Sequence, residues 1–255
     1  MGNVKHPRRS DAAPAASPPG TGAPGSGLAR PVGFVVGFAA EAALLRRRYP
    51  AVDGFVEIAG ANGPRAAAGT QALIVRGAAL VLSFGYAGAL EAGMRPGTVL
   101  LAETVMAPDG RRFACDDGAV AALAGLLTAA GVPYRFGALA GSDRAVATAI
   151  DKAALRAGSR ARAVDMESHA VAEAAAEAGR PMAALRVLLD PAERDLPQAA
   201  LVALDEQGHL RASALIAALA RQPSEIPGLI RLALDARRAR RSLGRAAAAL
   251  ARALC

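Results

Sequence analysis

The sequence predicts an α/β fold with a central, largely buried sheet, and two observations support this prediction. From Pro31 onward, short continuous apolar runs alternate with Ala-rich segments that have helical periodicity. Continuous apolar runs are typical of strands covered on both faces, and their alternation with helices is typical of a largely parallel sheet. Turn signals separate the elements: Pro50 ends the first helix, Asp109-Gly110 favours a hairpin turn, and Pro191 ends the last strand.

The predicted strands are short apolar segments that end at glycine, proline or polar residues. In chain order they are "PVGFVVGFA", "GFVEIAG", "ALVLSFGYAGAL", "GTVLLAETVM", "YRFGALAGSD", the residues before Asp165, and "RPMAALRVLLDP". Apolar residues at three- and four-residue spacing predict helices between them. These cover "AEAALLRRRYP", "PRAAAGTQALIVRGA", residues 118–130, residues near 148–157, the Ala-rich stretch after Glu167, and most of 196–250.

The net charge of +8 is concentrated at the two ends of the chain. Residues 1–30 sum to +3 and residues 221–255 to +6, whereas residues 31–220 sum to −1. Composition and charge together predict three parts: a disordered Pro-, Ala- and Gly-rich tail over 1–30, a folded domain over 31–220, and a basic C-terminal helix over 221–255 that packs on it or extends from it. Aromatic residues make up only 4% of the chain, so a nucleic-acid partner, which needs a basic folded body and stacking platforms, is not expected.

Cysteine usage and hydropathy predict a cytoplasmic protein. Cys115 and Cys255 lie far apart, which fits neither a disulfide framework nor a metal-ligand spacing. The basic N-terminal segment lacks the apolar stretch of a secretory signal. No uncharged stretch is long and apolar enough for a bilayer, which takes about 20 residues. The histidines are scattered, so no metal triad is expected.

Polar residues follow several predicted strands, where ligands of α/β folds gather. They are Glu41, Ser83 to Gly88, Ser142 with Asp143, Asp165 with Glu167, and Asp190. Each has a structural alternative, since an aspartate there can cap a helix and a glycine turn can be purely structural. His169 is interpreted as a packed or hydrogen-bonded histidine.

The position of Asp190 favours a catalytic role over a role as a helix cap, because Asp190 directly follows a predicted buried strand. Burial there raises the pKa of a carboxyl group toward general-acid use. Arg186 could be the counter-charge of Asp190 or of Glu167.

Several segments, in this order, resemble the purine nucleoside phosphorylase and methylthioadenosine nucleosidase superfamily over about residues 31–195. They are "VVGFAAEAALL", "LSFGYAGALEAGMRPGTVLLAE", "GSD", "AVDMESHAVAEAAAEAG" and "LRVLLDPAE". Within it, "LLDPAERDLPQAALVALDEQGHL" and "QPSEIPGLIRLALDARRARRSL" are similar to the hopanoid-associated phosphorylases. The resemblance implies a three-layer α/β architecture with a central mixed sheet, a helical C-terminal extension and a homo-oligomer.

The resemblance also implies roles for individual residues. Asp190 matches the acid that protonates the purine, and Glu167 the carboxylate that holds the ribose hydroxyls. Met166 matches the side chain beneath the sugar, with Asp165 as the cap or support of Glu167. The remaining candidates for substrate binding are Ser83, Tyr86, Ala87, Gly88, Ser142, Asp143 and Arg186.

The chain departs from the family pattern at the groups that supply the nucleophile. Glu41 aligns with the water-activating glutamate of the nucleosidases only when the alignment includes a one-residue gap. Ser83 stands where many phosphorylases carry the arginine that holds phosphate, and loss of such a clamp favours water. Inorganic phosphate is retained as an alternative co-substrate, and no other cofactor is expected. Leu189 replaces the serine that precedes the acid in nucleosidases.

The expected function is release of adenine from adenosylhopane, an adenosine-type lipid substrate. The alternatives are a methylthioadenosine or S-adenosylhomocysteine nucleosidase, a purine nucleoside phosphorylase, and a non-catalytic nucleoside-binding protein. Arg231, Arg238, Arg241 and Arg245 recur at helical spacing beside small apolar residues, which favours peripheral contact with the anionic inner face of a membrane. A surface helix packed on the body is the alternative. We expect the folded core to persist without residues 231–255.

Overall fold

The computed structural model describes residues 27–202 and 211–254 and confirms the α/β fold. The strands are β1 (Val32–Val36), β2 (Val56–Ile58), β3 (Leu80–Ala89), β4 (Val99–Met106), β5 (Arg112–Ala114), β6 (Tyr134–Gly141), β7 (Ala163–Asp165) and β8 (Met182–Asp190). The helices are α1 (Ala39–Arg48), α2 (Gly63–Val75), α3 (Asp117–Ala129), α4 (Ala149–Ser159), α5 (Ser168–Glu177), α6 (Gln198–Val202), α7 (Ala212–Arg221) and α8 (Ile226–Leu254), with 3₁₀ turns at Pro50–Phe55 and Pro223–Glu225.

The eight strands form one mixed sheet whose centre closes on itself. β3 pairs in parallel with β8, β8 pairs antiparallel with β4, and β4 pairs in parallel with β6. β7 then joins β6 in parallel to β3 in antiparallel orientation, which completes a ring of five strands. β1 and β2 extend the sheet beside β3, and β5 forms the other edge. Register shifts in β3 and β4 provide the local bends that such closure needs.

The sheet register brings the predicted functional strands together. Gly88 on β3 pairs with Val164 on β7 and, after a bulge, with Asp190 on β8. Asp165 at the end of β7 pairs with Gly141 on β6. The polar ends of three strands that are far apart in the sequence therefore meet at one place.

The two halves of α8 have different environments. Its C-terminal half buries Leu243, Ala246, Leu250 and Leu254 in the same apolar cluster as strands β1, β3 and β8. This packing argues against the expectation that the core persists without residues 231–255, because deletion would uncover apolar residues of these strands. Near its N-terminus, by contrast, α8 exposes Ile226, Ile230 and Leu234, so the packed surface helix is found in one half only.

Local differences from the sequence prediction have simple causes. Asp109-Gly110 forms the predicted turn, with Gly110 at φ +90°, but β5 was not predicted, because three residues give no periodic signal. Residues 203–210, within the predicted helical region, and residues 1–26 of the predicted tail lie outside the described residues. Of the helices described, none has the length and apolar character needed to cross a membrane.

Candidate active site

A cleft opens beside the ends of β3, β7 and β8 and the start of α1. Its lining includes seven residues predicted from the sequence: Glu41, Tyr86, Ala87, Gly88, Met166, Glu167 and Asp190. Including its open mouth, the cleft has a volume of about 610 Å³, which is typical of pockets for small organic ligands. The convergence of strand ends therefore produces one candidate site, as expected for an α/β fold.

Glu41 lies in the first turn of α1, where two backbone N–H groups hold its carboxylate. Oε2 accepts a hydrogen bond from the Phe38 N–H at 2.9 Å, and Oε1 accepts one from the Tyr86 N–H at 2.8 Å. The first bond caps α1, and the second ties the helix to β3. Burial raises the pKa of Glu41 to about 6, opposed by Arg186 and the backbone donors. A carboxyl group near neutrality is suited to proton transfer.

Glu167 directly precedes α5 and shares this end of the cleft with Glu41. A Cβ atom at Gly37 would lie 2.9 Å from Oε1 of Glu167, so glycine leaves room for the carboxylate. Burial raises the pKa of Glu167 well above its usual range, while the Arg186 guanidinium opposes the shift. Nη2 of Arg186 lies 3.4 Å from Oε2 of Glu167. Arg186 is thus the cation beside a carboxyl group that burial makes harder to ionise.

Arg186 lies behind the cleft, within a buried polar network. Its Nη2 is 2.5 Å from Oδ2 of Asp165 and donates to Oγ of Ser83 at 2.6 Å and to Oγ of Ser168 at 3.0 Å. Asp165 also accepts a hydrogen bond from the Ser168 N–H, as a residue that caps a helix does. Of the two partners expected for Arg186, Glu167 is the one found. Ser83 lies in this network and does not line the cleft.

Asp190 has a different partner at the other end of the cleft. The Lys152 ammonium on α4 donates to Oδ2 of Asp190, and both side chains are buried. Burial raises the pKa of Asp190, while Lys152 opposes the shift. A Cβ atom at Gly88 would stand 3.3 Å from Oδ1 and 3.6 Å from Oδ2, so the carboxyl group lies against the cleft wall. Lys152 thus holds one oxygen of Asp190, and the other has no hydrogen bond among the described residues.

The "SFGYAG" stretch forms the wall between these carboxyl groups. A Cβ atom at Gly85 would lie 2.5 Å from Oε1 of Glu41 and 2.7 Å from Nη1 of Arg186, so no other residue permits this approach. The backbone of Ala87 and Gly88 faces the cleft beside Asp190. Tyr86 also lines it, and burial raises the pKa of its phenol to about 12. The glycine turn thus lets charged side chains approach the strand.

Ser142 and Asp143 are not among the residues that line the cleft. Oγ of Ser142 donates to the carbonyl of Arg144 at 2.7 Å, and the Asp143 side chain is 78% exposed. Oδ1 of Asp143 lies 3.2 Å from Nε2 of His169, whose ring packs against Gly141. Their prediction as substrate-binding residues thus disagrees with the geometry, because the turn after β6 directs them away. His169 fits its interpretation as a packed histidine.

Sequence reasoning missed three contributors to the site. Lys152 holds Asp190, Ser168 links Arg186 to Asp165, and Arg144 lines the mouth of the cleft. Lysine is rare in this chain, and only that rarity could have marked Lys152 in advance. The position of Lys152 within a helix does not show, from the sequence alone, that its side chain reaches the end of β8.

The lining is rich in carboxyl groups, and the cations that pair with three of them lie behind it. Four carboxyl groups, those of Glu41, Asp165, Glu167 and Asp190, lie along the cleft, and Arg144 is its one basic lining residue among those described. The arrangement can supply a proton at one end and accept protons or hydroxyl groups at the other. Within residues 27–202 and 211–254, no three His, Cys, Asp or Glu side chains are grouped as metal ligands.

Comparison with solved structures finds the same fold in several nucleosidases. An S-adenosylhomocysteine nucleosidase from Streptococcus pyogenes has a TM-score of 0.57 and 22% identity, over 64% of this chain and 84% of that one. A futalosine hydrolase mutant from Helicobacter pylori has a TM-score of 0.61 and 16% identity, over 75% and 98%. The methylthioadenosine/S-adenosylhomocysteine nucleosidase of the same organism has a TM-score of 0.60 and 17% identity, over 74% of this chain and 97% of that one.

The sequence itself was also compared with curated proteins and with family descriptions. No curated protein matches the chain. Residues 32–222, which span the whole sheet and the cleft, match the Phosphorylase superfamily. The chain belongs to the Phosphorylase superfamily.

Proposed function

We propose that the protein cleaves the N-glycosidic bond of a purine nucleoside and releases the base. The observation that carries this proposal is the placement of buried carboxyl groups at both ends of one cleft. Asp190, with its raised pKa, protonates the departing purine, which then leaves as a neutral base. Glu167 accepts hydrogen bonds from the ribose hydroxyls. The fold shared with nucleosidases supports this class of reaction.

Water is the nucleophile we favour, with Glu41 as the base that activates it. Phosphate is an anion, and the cleft lining holds four carboxyl groups, three of them paired with Arg186 or Lys152, and one basic residue, Arg144. Arg186 offers no free charge, because Asp165 and Glu167 already pair with it. Within the described lining, the Arg144 guanidinium is thus the one group that could form a bidentate clamp on phosphate. The pKa of Glu41, raised to about 6, leaves it ionised at neutral pH.

For the substrate we propose adenosylhopane, which carries a large apolar group on its ribose. The mouth of the cleft supports an apolar substituent, because Ala145, Val146, Leu189 and Leu196 line it. The similarity of the C-terminal segments to hopanoid-associated phosphorylases points in the same direction. Methylthioadenosine and S-adenosylhomocysteine remain the alternative substrates, on the strength of the structural relatives.

A panel of 5′-substituted adenosines tests reaction and substrate together. Adenosine, methylthioadenosine, S-adenosylhomocysteine and adenosylhopane in detergent are compared, with and without inorganic phosphate, and free adenine is measured. We expect adenine release without phosphate, with the highest kcat/KM for the most apolar substituent. A preference for methylthioadenosine would replace the lipid substrate, and failure to release adenine from any member would favour the non-catalytic binding protein.

A further inference from the structure

The Lys152 side chain is fully buried, and its ammonium group donates three hydrogen bonds. Besides Oδ2 of Asp190, it contacts the carbonyl oxygens of Pro191 at 3.0 Å and Arg194 at 2.8 Å. An ammonium group has three donors, so these partners satisfy all of them. Lys152 thus binds both the carboxylate and the backbone segment that follows it.

The identity of this residue is unusual for the chain. Of its 30 basic residues, only Lys5 and Lys152 are lysines. Elsewhere in the described part, apart from the contact of His169 with Asp143, arginine forms the ion pairs with aspartate and glutamate, including the buried pair of Arg186 with Asp165. A guanidinium is a planar fork suited to paired oxygens in one plane, whereas an ammonium is a compact charge that can serve oxygens from several directions. The three oxygens around Lys152 come from three different groups, so a compact ammonium group suits them better than a planar guanidinium.

We propose that Lys152 is a positioning residue that fixes Oδ2 of Asp190 and thereby presents Oδ1 as the oxygen that transfers the proton. Both oxygens lie near Gly88, whose backbone forms the cleft wall, but Lys152 holds Oδ2, and Oδ1 has no hydrogen bond among the described residues. Without Lys152 the carboxyl group would be free to rotate, and either oxygen could turn away from the cleft. This inference rests on the proposed role of Asp190 as general acid.

Lys152 is also the cation that acts most directly on Asp190. Two other charged groups face this region, Arg194 from the segment after β8 and Asp235 from α8. Arg194 donates to the Asp235 carboxylate, so their charges largely offset each other. Removal of Lys152 would leave the effect of burial unopposed, and the pKa of Asp190 would rise further.

The test compares Lys152→Met with Arg156→Met, a change on the same helix. Arg156 contacts Glu91 and backbone carbonyls outside the cleft. Adenine release from adenosine and methylthioadenosine is measured against pH for each variant. We expect kcat of Lys152→Met to fall about 10²-fold, as for a misplaced catalytic group, with KM nearly unchanged. The alkaline limb of its profile should move up by about one pH unit or more. Arg156→Met should change neither.

A second measurement separates this inference from the proposed function. Carboxyl-carbon NMR of the wild-type protein and Lys152→Met follows the Asp190 titration, assigned by its absence in Asp190→Asn. A higher midpoint in Lys152→Met supports the proposal even if no nucleoside is cleaved. If Lys152→Met does not fold, Lys152→Gln, which keeps a donor but no charge, should show the same upward midpoint. An unchanged midpoint in the folded variant, or unchanged kcat with an unchanged alkaline limb, would overturn it.

Discussion

The floor and the rim of the cleft are built in opposite ways. The floor consists of buried ionisable groups held by hydrogen bonds, such as Glu41 on backbone donors and Asp190 on Lys152. The rim consists of small and medium apolar side chains, including Val146 and Leu196. Leu196 precedes Pro197, whose Cγ would stand 3.3 Å from a Cβ atom at Gly228 on the N-terminal half of α8. This half of the helix exposes Ile226, Ile230 and Leu234.

This difference indicates that the floor determines the reaction and the rim determines which substrate binds. Buried charges are expensive unless paired, so the floor tolerates few substitutions and fixes the reaction. Apolar rim residues are individually replaceable and set which substituent, or which surface, lies outside the cleft. Changes in the floor should therefore affect kcat, and changes in the rim should affect substrate preference and location.

The largest effect is expected at Asp190. Asp190→Asn keeps the side-chain volume and an oxygen acceptor for Lys152, but an amide cannot supply the proton. Adenine release should fall about 10²- to 10⁴-fold, the usual contribution of a general acid, while nucleoside binding measured by calorimetry persists. Asp53→Asn, an exposed change from acid to amide, serves as the control. Near-normal turnover of Asp190→Asn would remove this residue from the mechanism.

A smaller loss, about 10²-fold in kcat, is expected for Glu41→Gln, because general-base assistance to water is lost. In the wild-type protein the rate should fall as the pH drops through about 6, since only the ionised carboxylate accepts a proton and burial sets its pKa there. The variant should lose this acid limb.

Glu41 also accepts two backbone hydrogen bonds, so thermal unfolding of the variant must show that the fold survives. Glu177→Gln, at an exposed site on α5, is the matched control. A saturable phosphate requirement in the wild-type enzyme, with ribose-1-phosphate as product, would rule out water as the nucleophile.

The smallest effect concerns the rim, where we propose peripheral contact with an anionic membrane. Ile226, Ile230 and Leu234 project at helical spacing, and the exposed Arg231 and Arg237 lie beside them. Arginines near an anionic leaflet contribute about 1 kcal/mol each. The double variant Ile230→Asp/Leu234→Asp should bind anionic liposomes more weakly at low salt, with adenine release from methylthioadenosine unchanged.

Ile150→Asp on α4 is the control, because Ile150 is equally apolar and 81% exposed. The wild-type protein, the double variant and the control should therefore differ in sedimentation with anionic liposomes. Equal sedimentation of all three with anionic and neutral liposomes would contradict the membrane proposal and leave this helix face with another role.

The fold could be predicted from the sequence because the apolar runs that build it are local signals. "PVGFVVGFA" and "RPMAALRVLLDP" indicate β1 and β8 without knowledge of their neighbours. The closure of five strands could not be predicted, because it depends on β7, a three-residue strand that pairs with both β3 and β6, and on a bulge in the pairing of β3 with β8.

The candidate site was predictable where a carboxylate follows a strand, and less so elsewhere. Glu41, Glu167 and Asp190 line the cleft, as their positions after apolar runs indicate. Their partners come from other elements: Lys152 from a helix 38 residues before Asp190, and Ser168 from the start of α5. The sequence also does not show that the turn after β6 directs Ser142 away, since this depends on a backbone path.

The scarcity of lysine gives the protein a built-in reporter. Amine-reactive reagents modify lysine side chains and the α-amino group, and the numerous arginines do not compete. Lys5 lies outside the described region, so Lys152 is the one side-chain amine of the α/β body, and it is 0% exposed. The rate of acylation at Lys152, measured by mass spectrometry of its peptide, would therefore report how often the segment around Asp190 opens. A ligand that holds this segment closed would slow the labelling.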